Sequence, residues 1–467
     1  MRSVGVQRFS RFLFMALLLL AAGGSFGAQG RPSLADRYGD VANRLIDAAL
    51  ADSSAYDRLS QLVDTFGPRF SGTDNLERAI DWILAQMRRD GLEEVHGEEV
   101  MVPRWVRGNE SAQLLEPRVR EMPMLGLGGS IGTPDEGITA EVLVVSSFDE
   151  LKKRAAEARG KIVLYDAPFT AYGQTVRYRT TGAVEAARVG AVASLIRSVT
   201  PYSQQTPHTG GMRYDPAVRR IPHAALTVED AQLLHRFQER GERIVVRLRM
   251  EAETLPDVVS RNVVAEVGGY EKPEEIVVLG GHIDSWDVGQ GAMDDGGGAV
   301  AAWQAVRLIH QLGLRPKRTI RVVLWTNEEN GLRGGNAYHQ AHAEELDEHV
   351  LAIESDSGVF KPSGFGFAGS DRAFEIVRQI GDLLARIEAG NIVRGGGGAD
   401  IGPLMREGVP GMSLNVDGSR YFWYHHTQAD TIDKLDPGEL ARCVAAMAVM
   451  AYVVADLPER LPKSQRR

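Results

Sequence analysis

Six side chains of metal-binding type stand in four fragments of the carboxyl-terminal half of this chain. His282 and Asp294 lie in GGHIDSWDVGQGAMDDGGG, Glu328 and Glu329 in VVLWTNEENG, Asp356 in LAIESDSG and His426 in WYHHTQADT. Imidazole nitrogens and carboxylate oxygens suit zinc, and a set without cysteine points to a catalytic rather than a structural ion. Each fragment has an apolar run that ends in polar residues. A buried parallel strand delivers side chains in this way to the carboxyl edge of an open α/β sheet, where such sheets bind ligands. One such pair alone, an EE at a strand end or an HxD, is more often a solvated loop than a site, but the complete ordered set reverses that judgement. Glu328 and Glu329 are adjacent and would point to opposite faces of a regular strand. The segment WTNEENG is therefore expected to have left its strand and turned, so that one glutamate ligates and the other stays free.

His282 and Asp294 are twelve residues apart and Asp294 and Glu328 thirty-four, with Asp356 and His426 following on later elements. The set resembles the co-catalytic zinc exopeptidases, the group of zinc aminopeptidases and glutamate carboxypeptidases, and most closely its plasma glutamate carboxypeptidase branch. The resemblance implies two zinc ions per chain, with Asp294 bridging them, His282 and Asp356 completing one and Glu329 and His426 the other. Three ligating carboxylates then balance most of the metal charge, and the spare Glu328 faces the water as catalytic base. The resemblance also implies a cis peptide between Asp294 and Asp295. The HTxxDT pattern assigns His426, next to Thr427, as the ligand instead of His425. Members of the group commonly place a tyrosine just before that histidine to stabilise the oxyanion. Here the position is His425, so either His425 donates that bond or another group does. Asp284, two residues past His282 on the same side of a strand, is expected to accept the other imidazole N–H and fix its tautomer. On the substrate side, Arg394 beside GGGGAD is a candidate for gripping a carboxylate. Asp400 and Asn415 belong to loops expected to border the cleft.

The elements that must position these groups can be read from periodicity. An α/β fold is expected, with a mostly parallel central sheet covered by helices and an inserted α/β domain. Asp36 to Val100 reads as helical, with Leu76, Ile80, Ile83, Leu84 and Met87 at helical spacing after the Thr73/Asp74 cap signal and Gly91 past the last turn. From about Arg104 to Pro256 the texture changes to short strands, turns and one clear helix, in EVLVVSS, GKIVLYD, AVEAARVGAVASLI and IPHAALTVEDAQLL. This stretch resembles a protease-associated domain. His208 and His223 read there as surface or hydrogen-bonded polar residues, and nothing in the insert has metal-ligand spacing. From Asp257 to Leu457, strands (RNVVAEV, EEIVVLGG, TIRVVLWT, HVLAIES, GVPGMSLNV) alternate with helices at Ala299 to Leu314 and Phe374 to Ile387. The last helix opens on Asp436, Pro437 and Glu439 as N-cap, first and third positions. The organisation read from the sequence is thus a signal peptide at 1–27, an amino-terminal peptidase part at 28–103, the insert at 104–256 and the catalytic part at 257–467.

Residues 1–27 carry Arg2, Arg8 and Arg11, then an apolar stretch from Phe12 to Ala22, then Ser25 and Gly27 before a cleavage point at Ala28. That is a secretory leader, too short in its apolar core to be an ordinary membrane span. Without it the chain has 50 basic and 62 acidic residues, a charge of −12. An acidic surface argues against nucleic acid or an anionic membrane as partner. The only cysteine, Cys443, falls in an apolar segment, so an internal disulfide is excluded. The expected protein is exported, periplasmic or extracellular, and hydrolyses short peptides, unblocked dipeptides first, with a homodimer left open. The competing readings are a broad aminopeptidase or a one-zinc cyclase of the same fold, and, from another class, a metal-free receptor-like protein. The intact Asp294 and Glu328 argue against the receptor.

Overall fold

The computed structural model describes residues 33–463, so the leader and its cleavage point lie outside the described residues. Three amphipathic helices come first: Leu34–Ala51, Ser54–Phe66 and Asp74–Arg89. The third is capped by the Thr73 side chain, which accepts the Leu76 N–H, and its apolar face of Leu76, Ile80, Ile83, Leu84 and Met87 is buried. Gly91, at φ +79°, turns the chain out of the helix. The helical reading stops there. Glu93–Val106 is a strand in which buried Val100 and Val102 alternate with exposed residues, and a register shift between Val102 and Arg104 returns Trp105 to the buried side.

The main sheet has eight strands in the order Glu93–Val106, Glu253–Val267, Arg318–Trp325, Lys272–His282, His349–Glu354, Gly411–Val416, Pro362–Ala368 and Asn391–Arg394. Its centre is parallel, from Arg318–Trp325 through Lys272–His282 and His349–Glu354 to Gly411–Val416, and antiparallel pairs flank it. Central strands read as continuous apolar runs because both faces are covered. Val277 and Leu279 join the core beneath the long helices, whereas Ile276 and Val278 pack with Trp325, Tyr338 and Leu404 on the other face. Helix Gly297–Gln311 and the final helix Pro437–Asp456 lie in the first of these cores. The final helix is capped by the Asp436 carboxylate, which accepts the N–H groups of Gly438 and Glu439. It is long and apolar enough to cross a membrane, yet 83% of that stretch is buried inside the protein, as suits a core helix. Cys443 is buried within it and donates to the Phe360 carbonyl.

The two longest strands, Glu93–Val106 and Glu253–Val267, pair antiparallel along their length and carry the insert between their far ends. The insert has its own eight-stranded sheet and two apolar clusters. Two of the segments read from sequence divide here: AVEAARVGAVASLI holds the end of helix Arg177–Arg188 and the strand Ala193–Arg197, and IPHAALTVEDAQLL the strand His223–Leu226 and helix Val228–Glu239. The insert is fastened to the peptidase part by the bidentate pair Arg107–Asp287 (2.7 and 2.6 Å) and by a strap of residues around 200–212.

Close packing of the central strands makes a direct prediction. A Cβ on Gly280 would fall 1.9 Å from the Val323 carbonyl oxygen and 2.5 Å from the Trp325 ring, whereas one on Gly39, in the first helix, would meet nothing within 4 Å. Gly280→Ala is expected to lower stability by at least about 1–3 kcal/mol through overpacking. Gly39→Ala should raise it by up to about 0.5–1 kcal/mol. Denaturant midpoints of the two variants, moving in opposite directions, check this.

Candidate active site

All six groups come from the carboxyl edge of the parallel strands. His282 is the last residue of its strand, Asp356 lies two residues beyond Glu354, and the glutamates follow Trp325 after a turn. The strand ends at Trp325, the first residue of WTNEENG, and Asn327 adopts φ +63°. The turn is held by Asp284, whose carboxylate accepts the N–H groups of Glu328 (3.0 Å) and Glu329 (3.3 Å) and the Ser71 hydroxyl (3.3 Å). This corrects the role expected for Asp284. It is the Asp284 backbone carbonyl, 2.9 Å from Nδ1, that orients His282, while its carboxylate fixes the glutamates.

With Nδ1–H spent on that carbonyl, Nε2 of His282 faces the site, 3.3 Å from Asp294 Oδ1 and 3.5 Å from Asp356 Oδ1. The other oxygen of Asp294 faces Nε2 of His426 at 3.3 Å, and that nitrogen is 3.0 Å from Glu329 Oε2. Asp294 therefore presents one oxygen to each of two donor groups. His425 stacks on His426, ring centroids 3.5 Å apart, with Nε2 3.7 Å from Asp294 Oδ2.

Asp294 is fixed through its backbone. Its N–H and that of Met293 donate to the Asp430 carboxylate (3.1 and 2.7 Å), and the peptide from Asp294 to Asp295 is cis. The Asp295 oxygens accept the N–H groups of His282 and Gly298, both at 3.1 Å. Beneath them Arg69, fully buried, donates to the carbonyls of Gly67, Ile283, Gln290 and Gly291 and so clamps the loop between His282 and Asp294.

Electrostatics follow from confinement. Burial opposes ionisation of Asp294, but the His282 and His426 imidazoles overcome it and hold its carboxyl well below the usual range. Burial pushes Glu329 up to about 7 against the pull of His426, and Asp430 up to about 7. On His426 burial is outweighed by Glu329 and Asp294, which lift it to about 9. Removal from water, with Asp356 and Glu329 adding to it, drives Glu328 well above the carboxylate range. Burial and the neighbouring His426 push His425 well below the usual histidine value.

The donors fit zinc. Two donors on one tetrahedral ion at zinc bond lengths lie about 3.3 Å apart, and the cross-strand separations above run from 3.0 to 3.5 Å. His282 Nε2, Asp294 Oδ2 and Glu329 Oε1 are buried without a hydrogen-bond partner, as expected of atoms whose partner is an ion. His282, Asp294 and Asp356 form one cluster, and Asp294 with His425 and His426 a second.

The insert completes the site in a way no spacing announced. Nδ1 of His426 lies 3.3 Å from the Thr209 carbonyl, whose own N–H donates to the His426 carbonyl (3.0 Å). Nδ1 of His208 contacts the His425 carbonyl at 2.7 Å. This strap holds His426 at φ +60°, a conformation rare outside glycine. Of the two readings offered for His208, the hydrogen-bonded polar residue holds and the surface one does not: it is a buried wedge, and burial lowers it to about 3. His223 is buried too, bonded to carbonyls of Ser194, Tyr178 and Arg179. The cavity of about 1000 Å³ above the donors is lined by Asp294, Glu328, Glu329 and Asp356 below and by insert residues including Tyr172 and Arg179. Asn415 and Tyr421 line it as well; Tyr421 sits one helical turn before His425, ring centroids 5.1 Å apart.

Two expected substrate contacts are displaced. Arg394 lies on the outermost strand, exposed, paired with Asp371 at 2.8 Å and stacked on Phe374, and it does not line the cavity. Asp400 is buried behind the wall, where burial and Glu354 raise its carboxyl well above the usual range.

Comparison with known proteins agrees with this geometry. Residues 262–451 match peptidase family M28. Carboxypeptidase Q of Mus musculus is 51% identical over 430 residues, 91% of this chain and 92% of that protein. The crystal structure of a peptidase M28 precursor from Shewanella amazonensis superposes with a TM-score of 0.88 at 38% identity, covering 92% of this chain and 99% of that one. A zinc aminopeptidase from Bacillus subtilis shares the fold, with a TM-score of 0.65 at 21% identity over 87% of this chain and 98% of its own. The chain belongs to peptidase family M28 and is a metallo-exopeptidase.

Proposed function

We propose that this protein is an exported exopeptidase that holds two zinc ions and hydrolyses short peptides with free ends, dipeptides first. The observation that carries the reading is Asp294, whose two oxygens face two separate imidazole groups while Glu328 stays outside both. His282 and Asp356 would hold one ion and Glu329 and His426 the other. Zinc bound there would lower the pKa of a water to about 7 and polarise the scissile carbonyl. The similarity to carboxypeptidase Q and the zinc donor chemistry support this assignment.

The chain's own groups supply the rest. Glu328 lines the cavity on a turn that Asp284 pins through its N–H, and burial raises the affinity of its carboxylate for a proton. It takes the proton of the attacking water and passes it to the leaving amine. Tyr421 and His425 are the groups placed to donate to the oxyanion, His425 as a neutral imidazole. The insert roofs the cavity, which disfavours long chains and suits a substrate with both ends inside. The leader residues support export.

Glu328→Gln is expected to cut turnover by about 10²–10⁴-fold with zinc content nearly intact, whereas Asp294→Ala should lose both. A Glu328→Gln enzyme keeping about a third of the rate would remove the base assignment. In a substrate screen of zinc-loaded enzyme, free dipeptides should exceed N-acetylated dipeptides and long peptides in kcat/KM by about 100-fold or more. Equal cleavage of aminoacyl amides and long peptides would make the protein a broad aminopeptidase.

A further inference from the structure

The two halves of the donor set are held by different means. His282 takes its orientation from the Asp284 carbonyl and Asp356 from the strand it follows, both within the peptidase part, and neither bonds to the insert among the described residues. His426 depends on the insert: its Nδ1 faces the Thr209 carbonyl at 3.3 Å, and its own carbonyl accepts the Thr209 N–H at 3.0 Å. The fixity of Thr209 therefore decides where Nε2 of His426 points.

Thr209 is fixed in turn by Arg107, the residue that follows the strand Glu93–Val106 into the insert. Nε and Nη2 of Arg107 grip the two oxygens of Asp287 (2.7 and 2.6 Å), and Nη2 also donates to the Thr209 hydroxyl (3.3 Å). Nη1 donates to the Gly126 carbonyl (2.5 Å) and to the Glu110 carboxylate (3.3 Å). Each of the five N–H groups of the guanidinium thus has an acceptor. The Thr209 hydroxyl donates to the same Gly126 carbonyl (2.8 Å). Asp287 belongs to the loop between His282 and Asp294, next to Trp286, whose ring packs against His426 with centroids 5.4 Å apart. Gly128 closes this joint from the insert side, since a Cβ there would fall 2.2 Å from the Trp286 ring. One guanidinium, only 10% exposed, ties the loop of the donor site, the insert loop at Gly126 and the strap to a single point.

We propose that Arg107 is a positioning residue for one ion of the pair, the ion assigned to Glu329 and His426. Asp287 anchors the guanidinium to the peptidase part, the guanidinium sets Thr209, and Thr209 sets the His426 imidazole. A mere fastener between domains would need only the bidentate pair with Asp287; the bond to Thr209 is the one that reaches the site. A group that orients a metal-bound histidine through its other ring nitrogen is worth about 10–100-fold in metal affinity. The dependence is reciprocal, so an ion bound at His426 fixes Thr209 and, through it, the docked insert. The ion assigned to His282 and Asp356 has no such link, and the two ions respond differently when the clamp is cut. The proposal rests on the two-ion reading of the site.

The test is a zinc titration of the full, metal-stripped protein against a competing chelator, which yields a dissociation constant for each ion. In Arg107→Met one ion should weaken by about 10–100-fold and the other by less than about threefold. Thr209→Val should weaken the same ion, and the double variant should be no weaker than Arg107→Met alone, because both changes cut one path. In a His426→Ala background, which leaves the ion of His282 and Asp356, Arg107→Met should no longer alter zinc affinity. Asp287→Asn, which removes the charge at nearly unchanged shape, should reproduce the selective loss and answers the question should Arg107→Met not fold. Equal weakening of both ions, or of neither, would overturn the proposal and leave Arg107 a fastener between domains. Additive losses in the double variant would overturn the route through Thr209. A wild type that binds one ion would overturn the proposal together with the two-ion reading.

Discussion

Four carboxyl groups, those of Asp294, Glu328, Glu329 and Asp356, open onto one cavity, with the imidazoles of His282 and His426 set among them. Like charges withdrawn from water repel strongly, so such a cluster survives only if cations enter it or its members take up protons. Burial and the neighbouring carboxylates push Glu328 well above the ordinary carboxylate range and Glu329 up to about 7. Divalent ions relieve the same strain while keeping the oxygens charged. The rest of the architecture serves to hold this unfavourable cluster still.

A further ring of acids carries that load without facing the cavity floor. Asp284, Asp295 and Asp430 spend their oxygens on backbone N–H groups, of Glu328 and Glu329, of His282 and Gly298, and of Met293 and Asp294. Arg69 performs the reverse task with backbone carbonyls. Main-chain positions are thereby set by charge-assisted bonds stronger than ordinary amide pairs. The insert joins this scheme through Thr209 and His208, which grip the segment carrying His426. A domain whose fold is independent of the central sheet is therefore part of the donor geometry and not only a cover.

The cluster was legible because parallel strands write their buried runs continuously and place chemistry at the carboxyl end, so His282, Asp294, Glu328, Glu329, Asp356 and His426, which the fold brings together, stand out as polar residues after apolar runs. The turn in WTNEENG followed from two adjacent glutamates that a regular strand would send to opposite faces. Asp284 was located but misread, because spacing shows which side of a strand a residue takes and not whether its carbonyl or its carboxylate makes the bond. Asp430 lay inside the HTxxDT pattern and Arg69 inside GPRFSGTDN, yet their partners are backbone groups, which leave no residue signature. Arg394 drew notice by its glycine-rich neighbours but sits on the last strand of the sheet, and sheet order is not written locally. Arg179, Thr209 and His208 were illegible for the same reason: only the docking of the insert brings them to His426.

Zinc content per chain tests most directly the proposed pair of ions bridged by Asp294. Protein purified without chelator, saturated with zinc, desalted and measured by elemental analysis against amino-acid content should hold two ions per chain, both lost to chelator together with activity. Fully active enzyme that retains one tightly bound ion or none would contradict it.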